Sequence, residues 1–108
     1  MNKHFLLMKW DYEYDKEGTW FDEDSGEKQY ELISGAEYPL PHENSIKVEI
    51  RSLTQEGDLI NAEIYVDHHI LTVTSGNEPI IAHASNSYSV CGDSVHESWT
   101  LQFSIEEK

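Results

Sequence analysis

Cationic side chains are scarce in this sequence. Lys and Arg account for 7 of its 108 residues, against 21 Asp and Glu, and the formal net charge is -14 at pH 7. Proteins that bind nucleic acid contact its backbone through clustered Lys and Arg, and no Gly-rich phosphate loop follows a strand pattern here. The composition therefore argues against nucleic acid and anionic membranes as partners, and it favours basic proteins or cations.

Cysteine and long apolar runs are also nearly absent. Cys91 is the only cysteine, so the chain forms no internal disulfide, which suits a reducing compartment. The apolar run at residues 5–8 is too short for a signal peptide, and no stretch is long enough to cross a bilayer. We therefore expect a cytoplasmic protein that has no membrane association and no cofactor.

Helical periodicity is missing, and period-two alternation replaces it. The even positions from Leu6 to Tyr14 are apolar or aromatic, and similar alternation recurs at 46–50, 60–66 and 95–105. Successive side chains of a strand point to opposite faces, so each run predicts a strand with one buried and one wet face.

Glycine and proline fall between these runs, as turn residues do. The pattern predicts strands near 4–14, 18–23, 27–34, 45–54, 59–67, 69–75, 79–90 and 95–105. It predicts hairpin connections at residues 24–26, 55–58 and 75–78. The segment 36–44, which contains Pro39 and Pro41, is predicted to be a surface loop. We expect one all-β domain over residues 1–108, an antiparallel sandwich or small barrel of about seven or eight strands.

The carboxylates are densest at residues 11–27, which hold eight acids and one cation, Lys16. This density indicates either a recognition surface for a cationic partner or a solvated face that maintains solubility and discourages edge pairing. Trp20 and Phe21 lie in the same segment. Neighbouring strand residues face opposite sides, so one of these aromatics is expected to be exposed or to cover a strand edge. An exposed one would suit a protein contact or sugar stacking.

The same segment has some features of a calcium loop. Asp11, Glu13 and Asp15 have the spacing of early calcium ligands, but Lys16 stands where the turn glycine is required. On a strand these three carboxylates would be about 7 Å apart, which suits a diffuse cationic surface better than a cage. We therefore predict no calcium site.

Zinc binding and nucleophilic catalysis are likewise poorly supported. His83, Cys91 and His96 could meet if the last two strands pair, but no Cys-x-x-Cys or His-x-His pairing is present. Scattered surface histidines and a buried free thiol are the expectation. The segment 92–94 contains Ser94 but has the composition of an ordinary turn, and nothing supplies a base, an orienting acid and an oxyanion hole. No catalytic residue and no metal ligand is predicted.

The favoured hypothesis is a non-enzymatic binding protein that docks a basic protein through a carboxylate-rich face. By analogy, inhibitors of nucleases and immunity proteins against toxins put carboxylates where substrate phosphates would lie. The residues predicted to bind the partner are Asp11, Glu13, Asp15, Glu17, Trp20, Asp22, Glu23 and Asp24. Two alternatives stay open: a β-barrel that binds a small molecule or carbohydrate, with or without catalysis, and a structural domain that forms oligomers.

Overall fold

A computed structural model describes residues 3–17 and 19–107, without the side chains of 43–45. This part of the chain contains eight β-strands and no helix. The strands are β1 (His4–Lys16), β2 (Trp20–Glu31), β3 (Glu37–Leu40), β4 (Glu43–Glu56), β5 (Leu59–Val66), β6 (His69–Thr74), β7 (Ile80–Val90) and β8 (Asp93–Glu107). The predicted all-β class is confirmed. Gly18, predicted to begin a strand, lies outside the described residues. Nothing in the described ranges is a helix long and apolar enough to span a membrane.

The strands form two antiparallel sheets of four strands each. The first sheet has the order β2-β1-β8-β7, and the second sheet has the order β3-β4-β5-β6. The chain leaves the first sheet after β2, completes the second sheet, and returns to the first with β7. Two separate sheets with open edges make a sandwich rather than a closed barrel.

The apolar half of each alternating run forms the core between the sheets. On β1, Leu6 and Met8 are fully buried, and Val48 and Ile64 of the second sheet belong to the same core cluster. On β8 the buried residues are Val95, Glu97, Trp99, Leu101, Phe103 and Ile105. Each large apolar side chain that is removed from water stabilises the fold by roughly 1.5–3 kcal/mol, so the buried residues of both sheets hold the sandwich together.

Residues 24–26, predicted as a hairpin turn, lie inside β2, so the strands predicted at 18–23 and 27–34 are one strand. Gly26 is opposite Trp10 in the register of β1 and β2. A β-carbon on residue 26 would lie 2.8 Å from Cζ2 of Trp10. Gly26 is therefore required for the close approach of an indole ring and not for a turn.

Two further connections differ from the prediction. The segment 36–44 contains β3, which pairs with β4, and Pro39 is tolerated there because one side of an edge strand needs no ladder N–H. Residues 75–78 join β6 of the second sheet to β7 of the first sheet, so they do not close a hairpin. The hairpin predicted at 55–58 is confirmed, since β4 and β5 pair up to Glu56 opposite Leu59.

Candidate functional site: the acidic hairpin

The residues predicted to bind a partner lie on β1, on β2 and in their connection, at one edge of the first sheet. We call residues 11–17 and 19–27 the acidic hairpin. Its acids do not share one face, because alternate residues of a strand point to opposite sides of the sheet.

Four acids lie on the outer face of the first sheet, away from the core. Glu13 is directly opposite Glu23, with Asp11 and Asp15 two positions away from Glu13 along β1. Directly opposed residues of an antiparallel pair project from the same face, so these four form one group, which we call the outer row. Asp11, Glu13 and Glu23 form no salt bridge with any residue that the structure describes.

Trp20, Asp22 and Asp24 lie on the opposite face of β2. Asp22 is paired with Tyr14 and Asp24 with Tyr12 in the strand register, and Tyr12 points into the core. The three β2 residues are nevertheless exposed, because β2 is the edge strand. The predicted binding residues thus occupy both faces of the acidic hairpin instead of a single face.

Asp24 is hydrogen-bonded to His42, which lies in the connection between β3 and β4 of the second sheet. Nε2 of His42 lies 2.7 Å from Oδ2 of Asp24. This hydrogen bond, with a second one from the backbone N–H of Ser25, lowers the pKa of the Asp24 carboxyl below its ordinary value of 3.8. The imidazole is held in turn by stacking on Tyr12, with ring centroids 4.3 Å apart. Asp24 is therefore an anchored carboxylate, unlike Asp11, Glu13 and Glu23, which form no salt bridge with a described residue.

Glu17 has a structural role in the connection of the acidic hairpin. Its carboxylate accepts a hydrogen bond from the backbone N–H of Ser94, and its own N–H donates to the Ser94 carbonyl at 2.9 Å. Next to it, Nζ of Lys16 lies 3.5 Å from Oδ2 of Asp93. These contacts fix the connection to the start of β8, so the Glu17 carboxylate is already engaged within the chain.

A buried carboxylate, Glu97, lies behind the acidic hairpin and was not singled out from the sequence. Glu97 is 5% exposed and accepts a hydrogen bond from the Tyr12 hydroxyl. Burial, and then this hydrogen bond, raise the pKa of Tyr12 well above its ordinary value of 10.0. Glu97 lies midway between Val95 and Trp99 in the sequence, so the alternation of side chains along a strand places it on the buried face of β8. This alternation is the feature of the sequence that could have identified Glu97 as buried.

Two exposed aromatics stand where β2 begins. Trp20 is 64% exposed and Phe21 is 67% exposed, although their side chains leave β2 on opposite faces. The sequence predicts that one of the two is exposed or covers a strand edge, and the structure exposes both. Each face of the acidic hairpin therefore combines an aromatic ring with carboxylates.

The outer row borders a surface groove of about 380 Å³, which is also lined by Phe21 and His96. His96 is opposite Asp15 across β1 and β8, and its Nδ1 lies 2.9 Å from the Ser87 hydroxyl. Carboxylates beside an aromatic ring can receive a Lys or Arg side chain by charge and by stacking on the ring.

The residues considered for zinc and for catalysis do not assemble into a site. β7 and β8 pair, as the zinc hypothesis requires. However, His83 is opposite Thr100 and His96 is opposite Ser87, so the two histidines are not paired across the strands. Cys91 is exposed and not buried as expected. Within the described ranges, no group of three or more His, Cys, Asp and Glu side chains is arranged to hold a metal ion.

A comparison of the chain with protein-family models, with curated proteins and with solved structures finds no match in any of the three. The fold and the site together define an antiparallel β-sandwich with an acidic hairpin at one edge.

Proposed function

We propose that this protein is a non-enzymatic binding protein that docks a basic protein through the acidic hairpin. The observation that carries the proposal is the outer row, in which Glu13 faces Glu23 and neither forms a salt bridge with a described residue. Like charges directly opposite each other destabilise a sheet, by about 0.2–1 kcal/mol per pair. A cationic partner would relieve this repulsion, so its binding would recover the free energy that the repulsion costs the folded chain.

The exposed aromatics support a protein as the partner. Trp20 and Phe21 are each about two-thirds exposed, and large aromatics that stand beside charges are typical anchors of protein interfaces. The groove next to Phe21, with Glu13 and Glu23 in its lining, offers one basic side chain both an aromatic surface and carboxylate acceptors.

The overall charge supports the same class of partner. A net charge of -14 on 108 residues attracts cationic proteins over long distances and raises their rate of encounter. A cytoplasmic nuclease or toxin with a basic active site fits this surface, because carboxylates in a row resemble the phosphates of its substrate. The protein would then act by blocking that active site, as immunity proteins do.

A ligand held inside a barrel has less support. The sheets remain separate, and side chains such as Trp99, Phe103 and Met8 fill the space between them. An internal ligand site requires a cavity with a few polar groups in its lining. Among the described residues, the buried carboxylate of Glu97 accepts a hydrogen bond from the Tyr12 hydroxyl, and apolar and aromatic side chains pack around this pair.

The proposal is tested by affinity capture with the immobilised full chain, in cell extract of its source at low and at raised salt. A variant with Glu13→Gln and Glu23→Gln removes two charges from the outer row. A matched control, Glu56→Gln with Asp58→Asn, removes two exposed charges near the β4–β5 connection. We expect the wild type and the control to retain the same basic protein at low salt, and the outer-row variant to lose it. Capture of no basic protein, or equal capture by all three chains, would contradict the proposal.

A further inference from the structure

Strand β2 is an open edge of the first sheet. It pairs with β1 on one side and with no strand of the described residues on the other, over 12 residues. It contains no proline, and its pairing with β1 runs from Trp20 to Glu31 without a register shift. Proline and bulges are common devices that prevent another strand from adding to an edge. Here the backbone of β2 has the geometry to accept one.

Carboxylates project from both faces of this edge. Asp22 and Asp24 lie on one face, and Glu23 and Glu27 lie on the other. A protein surface that covered one face would contact only half of these acids. A strand added alongside β2 sends alternate side chains to both faces, so it meets all four. The two-sided distribution of the acids thus fits strand addition better than docking on one face.

Local side chains occupy two donors of β2. The N–H groups of Glu23 and Ser25 donate to the carboxylates of Asp22 and Asp24, each at 2.9 Å. Residues two apart on a strand point their N–H groups the same way. Both contacts are exposed and join neighbouring residues, so an incoming carbonyl can replace the aspartate Oδ1 as the acceptor while Oδ2 of Asp24 stays on His42. The freed aspartate oxygens are then available to cations of the incoming chain.

The charges of β2 also determine which strand can add. A second copy of β2 would bring carboxylates against carboxylates, and like-charged pairs across strands are unfavourable. A chain rich in Lys and Arg would instead form opposite-charge pairs on both faces. The other open edge of the first sheet, β7, contains no Asp or Glu and offers no such complementarity.

We propose that β2 accepts an extended, Lys- or Arg-rich segment of the basic partner as a fifth strand of the first sheet. This inference rests on the proposed function and specifies how the partner binds. The backbone ladder supplies affinity, and the carboxylates on the two faces select a basic sequence.

The test uses the full chain and a short synthetic peptide with a repeating order of two lysines and two threonines, which has lysines on both faces of a strand. Of two further peptides, one is N-methylated at every second position and the other at every position. Since successive N–H groups of a strand point in opposite directions, the first pattern leaves one edge of the peptide free to pair with β2, and the second pattern blocks both edges. We expect one methylated peptide to bind like the parent and the other about tenfold or more weakly, a loss of more than one ladder hydrogen bond. Amide hydrogen exchange of β2 slows when the parent peptide binds.

A charge variant makes the test sharper. Asp22→Asn with Asp24→Asn removes the charges but keeps an oxygen for each N–H cap, and we expect about tenfold weaker binding of the parent peptide. Glu56→Gln with Asp58→Asn serves as the control and leaves binding unchanged. Equal binding of both methylated peptides, or no change in β2 exchange, would overturn strand addition. If the protein still captures a basic protein that the outer-row variant loses, the proposed function survives that result; if it captures none, both fail.

Discussion

The indole ring of Trp10 lies across β2 at Gly26, so close that a β-carbon on residue 26 would be 2.8 Å from Trp10 Cζ2. Trp10 packs against the edge of the core, and Gly26 lets β2 pass over the ring without a break in its pairing with β1. This contact keeps the acidic edge strand continuous. The exposed acids of β2 thus depend on a glycine that looks like a turn residue in the sequence.

Replacement of Gly26 by alanine should destabilise the protein by about 1–3 kcal/mol, the usual cost of overpacking. The added methyl group meets the ring of Trp10, which must shift. Denaturant-induced unfolding measures the effect. Ser25→Ala, the neighbouring exposed position, is the control and should change the free energy of unfolding by less than about 0.5 kcal/mol. Equal stability of the two variants would show that Trp10 moves aside freely.

Tyr12→Phe should destabilise the fold by about 1–3 kcal/mol, because it removes the donor to a buried carboxylate. The acceptor is Glu97, which is 5% exposed. A double variant with Glu97→Gln should be less destabilised than the sum of the two single changes, since the two residues interact directly. Additive effects in this cycle would mean that the hydrogen bond contributes nothing.

The stability of the protein should decline at alkaline pH. The folded-state pKa of Tyr12 is raised above its ordinary value of 10.0, so the native state holds a proton that the unfolded state releases. The contribution is complete below pH 10.0 and is lost as the pH rises toward the folded-state pKa. Burial also raises the pKa of Tyr30 and Tyr38. Unfolding measured across alkaline pH should therefore show a smaller decline for Tyr12→Phe than for the wild type, and an identical decline would contradict the assignment.

His42→Ala should raise the pKa of Asp24 toward its ordinary value of 3.8, because the His42 hydrogen bond is the main cause of the depression. In the wild type this carboxylate favours folding above pH 3.8, and the contribution is lost as the pH falls through the depressed value. Carboxyl carbon chemical shifts followed by NMR through an acid titration report the pKa directly. An unchanged Asp24 titration in the variant would mean that the Ser25 N–H alone is responsible.

Glu23→Gln should stabilise the fold by about 0.2–1 kcal/mol, because it removes the repulsion from Glu13 across β1 and β2. Glu27→Gln is the matched control on the same strand and the same face, and Lys9 lies opposite Glu27. This second variant should be neutral or slightly destabilising. The two free energies of unfolding, compared at low and at high salt, decide the question. A stabilisation by Glu23→Gln that persists undiminished at high salt would not be electrostatic.

Alternation alone predicted the strands that form both faces of the core, such as 45–54 and 95–105, because parity determines burial directly. It failed where a glycine or a proline had a reason other than a turn. Gly26 makes room for Trp10, and Pro39 lies in a short edge strand, where no ladder donor is needed. Both reasons involve a residue far away in the sequence, so a local pattern does not contain them.

The candidate site was predicted as a set of residues but not as an arrangement. Alternation along a strand already predicts that Asp22 and Glu23 lie on opposite faces, but only the strand register shows that Glu23 lies opposite Glu13. The engagement of Glu17 with Ser94, and of Asp24 with His42, depends on contacts between distant segments. Glu97 was detectable, since it is the one charged residue at the buried parity of β8 between Val95 and Ile105.

The most direct measurement is the salt dependence of the affinity between this chain and the purified basic protein that it captures. For the wild type and for Glu56→Gln with Asp58→Asn, the affinity should fall steeply as salt screens the interaction. For Glu13→Gln with Glu23→Gln, the affinity at low salt should be weaker and its salt dependence shallower. Identical affinity and identical salt dependence for all three chains would show that the acidic hairpin is not where a basic partner binds.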